Sequence, residues 1–183
     1  GVSIYGSKTY STPHLNQLAK AGMYFKHCYS TPICTPSRVQ IMTGLYNFRN
    51  YVKFGQLPIT QKTFANYLSE SGYRTGICGK WQLGGKADTV RQFGFDSHCL
   101  WHLDGRESRY WNPRISRDGQ LLNGLEEQFG PDIMTDFACN FISSDSQTPF
   151  FLYYPMTLPH WPFVPTPDSQ SGGSRSLDGK YDG

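Results

Sequence analysis

The sequence lacks the features of several common protein classes. None of its stretches approaches the length of about eighteen apolar residues that a membrane-spanning helix needs, so we expect no such helix in this chain. Its seventeen Lys and Arg residues are scattered without a long basic run, and the formal net charge is only +3, which disfavours nucleic acid as a partner. A small anionic ligand needs only a few well-placed cations and is compatible with this charge.

Cysteine is sparse and is not spaced for a zinc site. The five cysteines contain no Cys-x-x-Cys pair, which is the spacing that zinc ribbons and zinc fingers use. Because their number is odd, one cysteine with a special chemical role would leave four others that could be paired or free. They are Cys28, Cys34, Cys78, Cys99 and Cys139.

The remaining composition is typical of a globular domain. The 183 residues are enough for one domain of ordinary size, with 38% hydrophobic and 17% charged residues. Aromatic residues reach 15%, which indicates either a large packed core or a cleft walled by aromatic side chains.

Apolar periodicity and turn residues predict helices that alternate with strands, which indicates an α/β sheet fold. A first helix should begin at Ser11-Thr12-Pro13 and end at Gly22. The region 94–123 reads as irregular apart from one hairpin, and residues 165–183 read as a loop. The other predicted elements are helices from Thr35-Pro36, over 63–71 and over 132–143, strands over 73–78 and 149–154, and a hairpin over 115–122 with Asp118-Gly119 at its turn. The residues predicted to face inward are Val39, Met42 and Leu45 in the second helix and Phe64, Tyr67 and Leu68 in the third.

The segment Cys34-Thr35-Pro36-Ser37-Arg38 lies where a loop enters the second helix. Thr35 is suited to cap that helix and Pro36 to its first turn, so Cys34 should lie beside a helix N-terminus, where anions are favoured. Arg38, one turn further, could point back to the same place and bind an oxyanion through paired hydrogen bonds. The alternative interpretation is that Cys34 is a small buried core residue.

Four segments, in order along the chain, resemble the type I sulfatase family. Residues 34–38 resemble its cysteine signature, and residues 79–84, Gly-Lys-Trp-Gln-Leu-Gly, resemble its second signature, Gly-Lys-Trp-His-Leu-Gly. Residues 94–96, Gly-Phe-Asp, match a third motif that we expect to be structural, and residues 157–162 match the family's Thr-x-Pro-His-x-Pro. The resemblance implies an alkaline-phosphatase-like α/β/α sandwich. Residues 1–183 would then be an internal part of a single catalytic domain, the N-terminal sulfatase domain, truncated at both ends.

The resemblance also implies a chemistry and a role for each matched residue. A maturation enzyme would oxidise Cys34 to formylglycine, whose hydrated form attacks a sulfate ester. Lys80 would contact formylglycine and the sulfate, Arg38 would help to offset negative charge, and His160 would contact the sulfate and protonate the leaving oxygen. Formylglycine at position 34 would also be a ligand of one Ca²⁺, whose acidic and Asn ligands would lie outside this chain.

Two expectations about the whole protein follow from the resemblance. Without the missing calcium ligands, we expect this chain alone to be inactive. We also expect the protein to be periplasmic, secreted or otherwise exported, with a signal segment that is not in this chain.

Gln82 departs from the family pattern, which has His at this position. In the family, that His is thought to take a proton when sulfate leaves the enzyme. Glutamine is not a base, although its amide can still orient a hydroxyl. The sequence therefore puts this one step in question.

Polar and aromatic residues cluster after the second signature, where they could line a cleft for a sulfated sugar or belong to a surface insertion. We favour a sulfated carbohydrate over a simple aryl sulfate as the substrate. Two other functions stay open: a formylglycine-dependent phosphonate or phosphodiester hydrolase of the same superfamily, and a relative that binds sulfated glycans without turnover. The cluster consists of Trp101, His102, Arg106, Arg109, Tyr110 and Trp111.

Overall fold

The computed structural model describes residues 2–9, 11–103, 105, 108–145 and 147–167. These residues form two compact units, of which the first ends at Thr31 and the second begins at Pro32. No described helix is long and apolar enough to cross a membrane. Of the predicted loop 165–183, only residues 165–167 are described, and they lie in neither a helix nor a strand.

The first unit contains a 3₁₀-helix, Ser3–Tyr5, and helix α1, Pro13–Ala21. A proline occupies the first turn of α1, where its missing N–H leaves no hydrogen bond unmade, and the Gly22 N–H closes the last turn. The predicted start and end of this helix are confirmed. Thr12 Oγ1 does not cap the helix but lies 2.7 Å from Ser3 Oγ, which links the two helices of this unit.

The second unit is built on one five-stranded sheet. Its strands are β1 (Arg74–Lys80), β2 (Ser97–Trp101), β3 (Ile115–Arg117), β4 (Gln120–Leu121) and β5 (Phe150–Tyr153). Its helices are α2 (Cys34–Thr43), α3 (Asn47–Asn50), α4 (Phe64–Glu70), α5 (Ala87–Gln92) and α6 (Gly130–Ser143). The strands lie in the order β4-β3-β2-β1-β5; β5, β1 and β2 are parallel, whereas β3 and β4 continue the sheet antiparallel.

Helices cover both faces of this sheet. One core joins α2, α4 and α5 to Ile77 and Leu100, and the other joins α6 to Cys78 and Cys99. Because neighbouring residues of a strand point to opposite faces, β1 gives Ile77 to the first core and Cys78 to the second. The predicted α/β fold, with helices on both faces of one sheet, is confirmed.

Strand β2 lies in a region that was predicted to be irregular, and this prediction was wrong. The polar residues Ser97 and His98 interrupt the apolar run by which a buried strand is recognised. In the structure, His98 is fully buried, its Nε2 accepts a hydrogen bond from the Gly119 N–H at 3.1 Å, and its own N–H donates to Asp118 Oδ1 at 2.7 Å. The hairpin predicted at Asp118-Gly119 is confirmed, and it satisfies these polar atoms of β2.

The start and end of α2 differ from the prediction. Thr35 does not cap the helix, because its N-cap is Ile33. Thr35 is buried instead, and its Oγ1 accepts a hydrogen bond from the Gly55 N–H at 3.1 Å. The N–H of Gly44 closes the last turn, so Leu45, predicted to be on the inward face, lies outside the helix.

Of the residues of α4 predicted to face inward, Phe64 packs against the core but Tyr67 does not. Thr63 caps it, since its Oγ1 accepts hydrogen bonds from the N–H groups of two following residues. Tyr67, predicted to face inward, is 58% exposed and lies under the Lys62 ammonium, 4.3 Å from the ring centroid. Ala65 takes the fully buried position, and Gly94 packs so closely against the backbone of residues 65 and 66 that a Cβ on Gly94 would collide with it.

Cys78 and Cys99 lie opposite each other on β1 and β2, and both are fully buried. Burial raises the pKa of each thiol to about 12, so both stay protonated and unreactive near neutral pH. Brief treatment of the folded protein with iodoacetamide should therefore alkylate the exposed Cys28 and Cys139 but spare these two. Peptide mass spectrometry reports this directly, with the denatured protein as the fully labelled control. Labelling of Cys78 as fast as Cys28 would contradict this placement.

Candidate active site

Cys34, Lys80 and Gln82 come together where the parallel strands end. Cys34 opens α2, and its Sγ donates a hydrogen bond to Gln82 Oε1 at 3.2 Å. The Lys80 side chain also forms a hydrogen bond with Cys34. Ligands of open α/β sheets usually bind at this edge, outside the carboxyl ends of the strands. The structure thus joins three of the predicted site residues into one group, which we call the Cys34 site.

The backbone at the end of β1 places Lys80 and Gln82. Gly79 has a φ of +114°, and a Cβ on it would collide with the carbonyl oxygen of Pro155, so the position needs glycine. This close approach allows the Lys80 N–H to donate to Pro155 O at 2.9 Å. Just beyond the strand, Gln82 has a φ of +51°, which is uncommon outside glycine. The resulting sharp turn carries its amide to Cys34.

Arg38 holds the end of β1 through the backbone. Its Nε donates to Trp81 O at 3.1 Å and its Nη2 to Lys80 O at 2.5 Å, and the side chain is only 8% exposed. Two of its nitrogen atoms, Nε and Nη2, thus bind backbone carbonyls, whereas the sequence suggested paired hydrogen bonds to an oxyanion. Buried carbonyls need hydrogen-bond donors. Arg38 supplies them to the carbonyls of Lys80 and Trp81, and so holds the backbone from which the Lys80 side chain extends. Its role in catalysis stays a prediction.

Positive charge dominates the Cys34 site. Burial lowers the pKa of Lys80; the charge of Cys34 acts in the opposite direction, and the charges of Arg38 and Arg109 lower it further. Burial also lowers the pKa of Arg38, against the charges of Tyr153 and Cys34. In the part of the chain that the structure describes, no carboxylate is among the charges that shift these two pKa values. The arrangement therefore favours an anion.

His160 lies in the loop after β5, and its side chain is exposed. Its Nδ1 is 2.7 Å from Trp161 O; because a carbonyl oxygen only accepts, Nδ1 carries the hydrogen, and Nε2 is left to face a ligand. Among the described residues, His160 makes no hydrogen bond with the Cys34 site. The contact between His160 and the sulfate therefore stays a prediction.

Tyr110 secures the His160 loop, which sequence reasoning did not anticipate. Its hydroxyl lies 3.1 Å from Thr157 O and 2.5 Å from His160 O, so it donates to the backbone of this loop. The sequence left open whether Tyr110 lines a cleft or belongs to a surface insertion; it is only 2% exposed. No local signal could have shown this role, because the two carbonyls are 47 and 50 residues away in the sequence.

The other described residues of the cluster 101–111 named above make contacts with aromatic rings. Arg109 packs over Trp101, with its Cζ 4.4 Å from the ring centroid. Trp101 is only 3% exposed, so its ring supports Arg109 and does not line an open cleft. His102 lies edge-on to Trp101, and the Trp111 ring packs against Phe129. Arg106 lies outside the described residues.

The described residues do not form a calcium site by themselves. Within the ranges that the structure covers, no three His, Cys, Asp or Glu side chains lie close enough together to hold a metal ion. Ca²⁺ takes several oxygen ligands, mostly from carboxylates and carbonyls, whereas the Cys34 site offers one amide oxygen, from Gln82, and the cation of Lys80. Calcium ligands outside this chain stay a prediction.

Comparison with known proteins identifies what this chain is similar to. An N-acetylglucosamine-6-O-sulfatase of Bacteroides thetaiotaomicron is 30% identical over 170 residues, which cover 91% of this chain and 29% of that protein. An N-acetylgalactosamine-6-sulfatase of Rattus norvegicus is 27% identical over 215 residues, 98% of this chain and 40% of that protein. The chain thus spans well under half the length of these relatives.

Solved structures show the same similarity in three dimensions. The structure of BT4656 in complex with its substrate D-glucosamine-2-N,6-O-disulfate has 30% identity and a TM-score of 0.77, over 91% of this chain and 33% of that one. Ps i-CgsB in complex with k-i-k-neocarrahexaose has 27% identity and a TM-score of 0.76, over 88% and 42%. These similarities confirm the alkaline-phosphatase-like α/β/α fold. The family model described as Sulfatase matches residues 1–181, and the chain therefore belongs to the sulfatase family.

Proposed function

We propose that the protein containing this chain hydrolyses sulfate esters with formylglycine made from Cys34, and that its substrates are sulfated carbohydrates. The observation that carries the proposal is the contact between Cys34, Lys80 and Gln82, with 3.2 Å between Cys34 Sγ and Gln82 Oε1, in a chain of the sulfatase family. The Sγ atom stands in for the oxygen atoms that formylglycine would carry on the same Cβ.

Lys80 is the residue that stabilises the charge of the sulfate. Formylglycine, once hydrated, supplies one hydroxyl that attacks sulfur and a second that allows sulfate to leave. Lys80 is buried, and its side chain already forms a hydrogen bond with residue 34. Its ammonium is therefore within reach of the sulfate oxygens on which negative charge develops. The positive N-terminal end of α2 acts at the same place, and Arg38 fixes the strand end that carries Lys80.

Gln82 orients residue 34 but does not take its proton. Its Oε1 accepts a hydrogen bond from residue 34 in the structure, and it can accept one from a hydroxyl at the same position. An amide oxygen has no useful basicity, so water or another group must accept the proton that is lost when sulfate leaves. The release of sulfate is therefore the step in which this protein departs from the family pattern.

His160 is the residue to which we assign protonation of the leaving oxygen. Its Nδ1 is held by Trp161 O, which leaves Nε2 to donate a proton when the ring is charged. Tyr110 secures the backbone on which this ring is carried.

The proposal has three further parts, of which family membership supports the first two. The whole protein binds one Ca²⁺ through residue 34 and ligands outside this chain. A formylglycine-generating maturation enzyme modifies Cys34. The protein is periplasmic, secreted or otherwise exported.

The choice of a carbohydrate substrate is supported by the relatives. The similar proteins include amino-sugar 6-sulfatases, and the similar structures hold a glucosamine disulfate and a neocarrahexaose. The cation of Arg109, which packs over Trp101, suits a sugar that carries anionic groups in addition to the ester sulfate.

The activity test compares classes of ester. The full-length protein, produced with a maturation enzyme, is assayed on glucosamine 6-sulfate, 4-nitrophenyl sulfate, a phosphonate monoester and a phosphodiester, with Cys34→Ala as the inactive control. The proposal expects the highest kcat/KM on the sulfated sugar. A preference for the phosphorus esters would identify the other hydrolase class, and calorimetric binding of the sugar without product would identify a non-catalytic relative.

His160→Ala should slow the hydrolysis of a sulfated sugar far more than that of 4-nitrophenyl sulfate. A sugar alkoxide needs a proton as it leaves, whereas nitrophenolate does not, and loss of a general acid typically costs about 10²–10⁴-fold in rate. Tyr110→Phe should give a smaller loss with the same dependence on the leaving group. The exposed His14 of α1 offers the control His14→Ala. Equal losses in kcat/KM on both esters would rule out an acid role.

A further inference from the structure

Arg109 lies at the edge of the sheet that carries the Cys34 site. Its guanidinium packs over the Trp101 ring, and Trp101 is the residue of β2 that pairs in register with Lys80 of β1. The charges of Cys34 and Arg109 act on each other, and that of Arg109 also acts on Lys80. Stacking on a buried ring restricts the plane of the guanidinium, so Trp101 orients this cation.

One hydrogen-bond donor of Arg109 is unused within the described part of the chain. Its Nη1 is buried and has no hydrogen-bond partner in the described part of the chain. A buried donor without a partner is unfavourable, and native structures rarely keep one without a reason. Burial, the largest effect on the pKa of Arg109, lowers it, and among the described residues the charges that oppose this shift are those of Tyr110 and Cys34.

Arg38 and Arg109 are both guanidinium groups whose charges interact with that of Cys34, but they differ in how their hydrogen-bond donors are used. Arg38 donates hydrogen bonds from its Nε and Nη2 to two backbone carbonyls. Arg109 packs over the Trp101 ring, its Nη1 has no hydrogen-bond partner among the described residues, and its charge acts on a second cation, Lys80. Fixed donors and unbalanced positive charge together form an arrangement that binds oxyanions.

We propose that Arg109 is a specificity-determining residue that binds an oxyanion of the substrate. This rests on the proposed sulfatase function and extends it to a residue outside the four matched motifs. The planar fork of Arg109 matches the paired oxygens of a sulfate or a carboxylate. That oxyanion has two possible sources, the ester sulfate that is hydrolysed or a second anionic group on the same sugar.

The test uses the full-length protein and three sulfate esters: 4-nitrophenyl sulfate, glucosamine 6-sulfate and D-glucosamine-2-N,6-O-disulfate. Arg109→Met keeps the length of the side chain and its packing on Trp101 but removes the charge and the donors. The control is Arg117→Met, because Arg117 also lies over an aromatic ring, that of Phe137, but at the other end of β3. We expect Arg109→Met to raise KM by about tenfold or more and Arg117→Met to leave it unchanged.

The pattern of the losses identifies the source of the oxyanion. A rise in KM for all three esters, with an equal rise in the inhibition constant of inorganic sulfate, assigns Arg109 to the ester sulfate. A rise for the disulfate alone assigns it to the second anionic group. Unchanged KM for all three esters and unchanged sulfate inhibition would overturn the proposal.

Two further measurements separate binding from folding. Added guanidinium should restore part of the activity of Arg109→Ala, because it replaces the missing group, and the melting temperature of Arg109→Met should match the wild type. A loss without rescue and with a lowered melting temperature would show that Arg109 is structural and would overturn the proposal.

Calorimetry with inorganic sulfate separates this proposal from the proposed function. If the wild type hydrolyses no sulfate ester but binds inorganic sulfate more tightly than Arg109→Met does, the activity proposal fails while the binding role of Arg109 stands. If the wild type hydrolyses the esters and Arg109→Met matches it in KM and in sulfate affinity, only the role of Arg109 fails.

Discussion

Replacing Lys80 by alanine should lower kcat by about a hundredfold or more on every sulfate ester, because one preorganised donor is typically worth about 10²–10³ in kcat. Lys80 is 8% exposed and its side chain forms a hydrogen bond with Cys34, so its charge is held next to the group that attacks the sulfate. It acts on the sulfate group, which all substrates share. The loss should therefore be the same for a sugar and for a nitrophenyl ester, unlike the loss expected for His160→Ala.

The control for Lys80→Ala is a lysine that differs only in its surroundings. Lys62 forms a surface ion pair with Glu70, 2.6 Å apart, and Lys62→Ala should leave kcat unchanged. Lys80→Ala should still fold, since removing a buried cation also removes its cost of desolvation; melting curves check this. A variant that keeps its kcat and only raises KM would show that Lys80 binds substrate and transition state equally.

The wild-type protein should release alcohol in a burst followed by slow turnover, and Gln82→His should accelerate the slow phase. Attack on the ester uses residue 34, Lys80 and His160, all of which match the family. Release of sulfate needs a proton to be removed from residue 34, and Gln82, 3.2 Å away, is not a base. General-base help is worth about 10²–10⁴ in rate, so steady turnover should rise by up to that factor.

Stopped-flow measurement of released nitrophenol tests this directly. In Gln82→His, the burst should shrink as sulfate release ceases to limit the rate. The control, Gln92→His, changes the same residue type at an exposed position at the end of α5 and should change neither phase. If the wild type gives no burst and Gln82→His only lowers activity, glutamine serves this site well and the proton leaves by another route.

Local patterns predicted the fold where one signal dominated. Pro13 and Gly22 bound α1, and Asp118-Gly119 forms the hairpin turn, because each of these residues has a strong conformational preference of its own. Strand β2 was missed because the polar residues that open it hide its buried character. Its polar atoms are satisfied by the hairpin turn, which follows some twenty residues later, and no window of neighbouring residues contains that information.

The sequence predicted which residues belong to the candidate site, but it did not predict the contacts that they make. The motifs named Cys34, Lys80 and Gln82, and the structure brings them together. The use of Arg38 as a backbone donor and of Tyr110 as an anchor depends on carbonyls more than forty residues away. Such contacts follow from the packing of the sheet, and residue type alone does not reveal them.

The most direct test of the central claim is the mass of one peptide. Trypsin cleaves after Lys26 and Arg38, so it releases residues 27–38, which contain Cys34 and Cys28. In full-length protein made with a competent maturation enzyme, we expect this peptide to show the mass of an aldehyde in place of one thiol, with fragmentation placing the change at residue 34 and Cys28 unmodified. A peptide that carries only two intact thiols after such co-production would contradict the account.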